Sequence, residues 1–139
     1  MLSTIIEVKE VKILRNLAGF EFNWSLRTND QTYIYWAKVT DEIAGLVEFE
    51  RMQKELFNFM HLIEVSKAYR GTTVAGELLA FVGHDSLQNG FDGFVVFESK
   101  SVTYEYYIEK YGAKPLIGRR LHFDTTATLK LIQTYLEGV

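Results

Sequence analysis

The stretch Ile63–Leu79, IEVSKAYRGTTVAGELL, constrains this chain more than any other. Around its start Leu62 and Glu64 alternate with His61, Ile63 and Val65, as a strand does. A turn over Ala68–Thr73 follows, with one glycine and two small hydroxyl residues. From Val74 the spacing of Ala75, Leu78, Leu79 and Val82 predicts a helix with one buried face. The first N–H groups of such a helix have no intrahelical partner and carry the positive end of its dipole. Small residues let an anion come close to that backbone, and Arg70 adds a full charge at the rim. The pattern predicts a phosphate cradle. It is neither a Walker A loop, which needs Lys-Ser/Thr after its second glycine, nor a dinucleotide turn with three spaced glycines.

The segments around this stretch predict a mixed α+β domain spanning residues 1–139. Residues 2–14 fit a helix or a strand. Phe20, Phe22, Trp24 and Leu26 alternate with polar residues and predict a half-buried strand. Residues 33–39, 43–52 and 56–65 predict three more, joined by short polar turns, so the four make an antiparallel meander. A helix over 74–88 stops at Asn89-Gly90, and Phe91–Phe97 is a nearly continuous apolar strand. A strand, a helix and an apolar strand predict one parallel βαβ crossover. Ser99 is the expected cap of a further helix, with Tyr104, Tyr107, Ile108 and Tyr111 on one face and Gly112 as its stop. Lys114–Leu116 is extended, Arg120–Phe123 is a strand, and Asp124-Thr125-Thr126 offers caps for a last helix turning Leu129, Ile132 and Leu136 inward.

Composition removes several classes of function. The 139 residues are 47% hydrophobic with a net charge of −3, which predicts an ordered core and no nucleic-acid partner. No apolar run approaches the ~20 residues of a membrane span. The opening MLSTIIEVKEVK lacks the pattern of a secretory leader. The absence of cysteine excludes disulfides and thiolate chemistry and fits a cytoplasmic setting. Three scattered histidines suggest no metal site.

The turn resembles the Arg/Gln-x-x-Gly-x-Gly/Ala loop of the GNAT acyl-CoA N-acyltransferase superfamily. Arg70 fits its first position and Ala75 its last, while Thr73 stands where that family usually has glycine. A second resemblance lies downstream. Tyr106-Tyr107-Ile108-Glu109-Lys110-Tyr111-Gly112-Ala113 is similar to the family's aromatic-Tyr-x-x-x-Gly-Phe signature, with Ile108 where its tyrosine usually stands and Tyr107 one residue early. The interval from Arg70 to Gly112 fits too. The amino-terminal part looks short for the family, as if one of the usual first helices were reduced.

The resemblance implies a mostly antiparallel central sheet flanked by helices and an acetyl-CoA donor. It implies that N–H groups from Gly71 through Thr72, Thr73, Val74 and Ala75 to Gly76 hold the pyrophosphate, with Arg70 beside them. The strand before the loop would splay from the next one. Its exposed backbone at Ile63 and Val65 would pair with the pantetheine arm, the Val65 N–H near the thioester carbonyl. For the base, His61, expected to share a face with Ile63 and Val65, is a candidate, as are Glu64 and Glu48. For the acid, Tyr107 is nearest, with Tyr104 behind it. The acceptor would be an amine of a small molecule or peptide, and a homodimer is compatible. A different reading is a GNAT-like module that binds CoA or a protein partner without turnover.

Overall fold

The computed structural model describes residues 1–137; Gly138 and Val139, the last two of the expected domain, lie outside the described residues. Aromatic and β-branched runs form β2 (Thr32–Val39), β3 (Glu42–Met52) and β4 (Phe57–Val65), each antiparallel to the next. The ambiguous amino-terminal segment resolves into a strand, β1 (Thr4–Glu7), paired with β2, and a single turn of 3-10 helix at Val11–Leu14. Then come α1 (Val74–Gln88), β5 (Val95–Glu98), α2 (Ser101–Tyr111), β6 (Lys114–Pro115), β7 (Arg120–Phe123) and α3 (Thr125–Leu131). A π-helical turn, Ile132–Leu136, extends α3. The seven strands lie in the order β1-β2-β3-β4-β5-β7-β6, and β4–β5 is the parallel pair that the crossover predicts.

Val47, Phe49 and Met60 of the sheet meet Val74, Leu78, Leu79 and Val82 of α1 in a closed apolar layer. A Cβ at Gly45 would stand 2.9 Å from both Leu78 and Val74, so only glycine lets α1 lie this close to β3. Gly112 ends α2 at φ 78°, a conformation that costs glycine little.

The opposite face buries Val8, Leu14, Trp24, Ile34 and Leu46 beneath the irregular residues 8–31. The strand expected over 20–26 is absent. β1 occupies the edge of β2, so this segment lies over the sheet face, where only Trp24 of its apolar residues is fully buried and Leu26 is exposed. Two further corrections concern helix ends. Lys100, not Ser99, precedes the first residue of α2, and the Ser99 hydroxyl meets the Thr103 hydroxyl. Leu129 is exposed, whereas Ile132 is buried as expected, beside Ala127, Thr128 and Leu131, and Leu136 is half-buried. Asp124 caps α3 as expected, accepting from the Ala127 N–H at 2.9 Å. Among the described residues, no helix is long and apolar enough to cross a membrane.

Candidate functional site

β4 is paired along most of its length on one side and only briefly on the other. Its parallel contact with β5 runs through Asn58–Val95, Phe59–Val96 and Met60–Phe97 and then stops. The cause is a bulge. Glu48 faces Leu62 while Phe49 faces Met60, leaving His61 as an extra residue that bends β4 away. Beyond Glu98 the chain turns toward β7, where the Ser99 N–H donates to the Arg119 carbonyl at 3.0 Å. The Ser66 N–H donates to the Ala44 carbonyl at 2.8 Å. Antiparallel alternation from that bond sends the backbone groups of Ile63 and Val65 away from β3, into the gap.

Two concavities meet there. One, of about 260 Å³, is lined by His61 and Ile63 on one wall and by Phe97, Glu98, Lys100 and Tyr107 on the other. The second, of about 190 Å³, runs between Ile63, Val65, Ala75 and Leu79 and the α2 residues Tyr106, Tyr107 and Tyr111. Tyr107 borders both. Larger hollows lie within residues 14–26, about 490 Å³, and between the end of α2 and α3, about 370 Å³. Neither borders the unpaired backbone of Ile63 and Val65.

The second concavity leads to the start of α1. The first helical bond there is from the Glu77 N–H to the Thr73 carbonyl, at 3.0 Å. The N–H groups of Thr73, Ala75 and Gly76 meet no acceptor among the described residues, and Val74 N–H has only a long contact, 3.4 Å, to the Thr72 hydroxyl. Gly71, at φ 83°, and Thr72 are exposed, and Arg70 flanks them. A turn of unpaired donors beside an open gap is able to grip an anion.

The structure brings His61 and Tyr107 to the first cavity, and Glu64 lines the second. His61 does not share a face with Ile63 and Val65, as expected from simple alternation. The bulge turns it to the opposite face, where its Nε2 lies 3.0 Å from Glu50 Oε1 and its ring meets Phe59 edge-on. The hydrogen bond from His61, and a second from Asn29, hold the Glu50 carboxyl below its ordinary pKa. Tyr107 packs edge-on against Phe97, with ring centroids 4.9 Å apart. Burial, then the neighbouring Tyr106, raises its phenol above the ordinary value, so it keeps its proton at neutral pH.

Glu64 accepts the Glu21 N–H at 2.6 Å, the Phe22 N–H at 3.2 Å and the Trp24 indole N–H at 2.8 Å. Glu48 accepts both the N–H and the hydroxyl of Thr28 at 2.7 Å and is fully buried. Both carboxylates are committed to pinning residues 20–28 onto the sheet. Sequence reasoning missed the pairing of Glu50 with His61, and Phe22, which reaches the cavity mouth from the irregular segment. It also missed Glu77, a carboxylate buried at the first turn of α1. The available signal for Glu77 was an acidic residue four places after a hydroxyl at a helix start.

The family model described as the acetyltransferase (GNAT) family matches residues 6–113. No curated protein matches the sequence. Among solved structures, the crystal structure of AtaTR bound with acetyl-CoA is similar over 94% of this chain and 98% of that one, with a TM-score of 0.66 and 14% identity. The solution structure of the protein YhhK from E. coli bound to coenzyme A is similar over 87% of this chain and 98% of that one, with a TM-score of 0.62 and 16% identity. The KacTA–DNA complex is similar over 76% and 75%, with a TM-score of 0.57 and 12% identity. At these identities the structural likenesses speak to the fold.

Proposed function

This chain belongs to the GNAT acetyltransferase family, and from that premise we propose that it transfers an acetyl group from acetyl-CoA to an amine. The observation that carries this reading is the interrupted pairing of β4 and β5, which leaves the backbone of Ile63 and Val65 facing a gap that runs to unpaired N–H groups at the start of α1. Similar structures bound to acetyl-CoA or coenzyme A support it.

In this reading the N–H groups of Thr73, Ala75 and Gly76 hold the donor's diphosphate, with Arg70 at the rim. The backbone of Ile63 and Val65 takes the amides of the pantetheine arm, and an N–H directed into the gap polarises the thioester carbonyl. Tyr107 supplies a proton to the departing sulfur. It is suited to this because burial keeps it protonated where it borders both concavities. The amine enters from the side of His61. With its Nε2 proton directed at Glu50, His61 keeps a lone pair on Nδ1 with which to take a proton from the amine, directly or through water.

Thiol release from acetyl-CoA with a panel of amines tests this. The wild-type protein is expected to turn over at least one amine. Tyr107→Phe is expected to lower kcat by roughly a hundredfold, in the range of general acid catalysis, with acetyl-CoA binding retained. Equal turnover by Tyr107→Phe would remove the acid role. Binding of acetyl-CoA with no turnover of any amine would assign the chain as a binding module.

A further inference from the structure

Threonine at 73 stands where the resembled loop has glycine, at the start of the row of free donors. A side chain there would be expected to lean over any anion held by those donors. The structure shows what keeps it aside. The Thr73 hydroxyl donates to Glu77 Oε2 at 2.6 Å. Glu77 is completely buried and accepts three more hydrogen bonds, all from the amino-terminal residues. These come from the Leu2 N–H at 2.8 Å, the Ser3 N–H at 2.9 Å and the Ser3 hydroxyl at 2.6 Å. Burial alone would favour the neutral acid, but the four donors outweigh it and hold the group ionised. A carboxylate is an acceptor only, so all four donors are satisfied at once; an amide in its place would present an N–H₂ to donors.

We propose that Glu77, braced by Leu2 and Ser3, is a positioning residue for the donor loop, which draws the Thr73 side chain back from the anion path so that threonine can serve in place of glycine. This rests on the reading of the α1 start as the diphosphate site. It also makes the first residues of the chain part of the support for that site, although they lie more than seventy positions away in sequence.

The role predicts a specific dependence between two positions. Calorimetric titration of the full chain with acetyl-CoA would compare the wild type with Glu77→Gln, Thr73→Val, Thr73→Ser, Thr73→Gly and the double variant Thr73→Gly/Glu77→Gln. Glu77→Gln and Thr73→Val are expected to weaken binding roughly tenfold, about the net worth of one lost hydrogen bond. KM for acetyl-CoA should rise with kcat little changed. Thr73→Ser keeps the hydroxyl and should bind as the wild type does. Thr73→Gly should bind at least as well, and adding Glu77→Gln to it should cost less than twofold, because no side chain remains to be held back.

Equal losses from Glu77→Gln in the threonine and glycine backgrounds would overturn the proposal and leave Glu77 a purely structural carboxylate. Thr73 is exposed, so Thr73→Val carries the test if Glu77→Gln folds poorly; unchanged binding by Thr73→Val would also overturn it. No binding by the wild type would overturn the donor-site reading itself, a distinguishable failure that takes this proposal with it.

Discussion

On one face of the sheet, Val47, Phe49 and Met60 interlock with Val74, Leu78 and Val82 of α1. On the other, Ile34 and Leu46 lie under residues 8–31, whose longest regular element is one 3-10 turn. The first face is closed chiefly by packing, the second by a smaller apolar cluster around Trp24 together with several polar clips. Glu48 holds Thr28, Glu64 holds Glu21, Phe22 and Trp24, and Arg27 reaches the carbonyls of Val8, Lys9 and Thr32. Packing energy is spread over many atoms, whereas each clip concentrates it in a few directional bonds. The start of α1, proposed above as the donor site, therefore stands on a closed apolar layer. The mouth from which an acceptor would enter is bordered by a segment tied down at discrete points.

Three measurements test the difference between the two faces. The largest effect is expected from Leu78→Ala, which empties part of the closed layer and should cost about 3 kcal/mol in chemical denaturation, as buried leucine truncations do. A loss below roughly 1 kcal/mol would show that α1 does not close that face as described. Glu48→Ala should cost about 1–2 kcal/mol, because it removes the two hydrogen bonds that hold Thr28 to the sheet. Its signature is local. Amide exchange should quicken across residues 20–31 while α1 keeps its protection, and a uniform rise would erase the contrast between the faces.

The smallest effect belongs to the His61–Glu50 contact. Glu50 is held below its ordinary pKa in the folded state, so its contribution to stability is present above the ordinary carboxylate range and is lost as pH falls through the folded value. The stability difference between wild type and His61→Ala should therefore exist at neutral pH and close on acidification. A difference that grows instead would mean that His61 acts through its own charge.

Much of the donor side was legible before any coordinates. The strand into β4, the helix from Val74 to Gln88, the parallel crossover and the Gly112 stop all follow from periodicity and local backbone preference. The loop before α1 was legible because small residues at a helix start have a local meaning. The opposite face was not. Phe20–Leu26 alternates as a strand would, yet β1 had taken the only free edge of β2, and alternation cannot report competition for an edge. His61 was assigned to the wrong face because one extra residue in β4 reverses every side-chain direction beyond it. Glu48 and Glu64 looked like reactive or solvated carboxylates, since nothing near them in sequence names the N–H groups they receive.

Local pattern alone sets which segments are helix and which are strand over the crossover, and that a turn of small residues joins them. Those properties depend on neighbours within a few residues. Tertiary structure alone decided where β4 parts from β5, which face His61 looks to, and that Ser3, Glu77 and Thr73 form one chain of hydrogen bonds. A hydrogen bond between residues seventy apart leaves no periodic trace, because its partners are selected by the packing that brings them together.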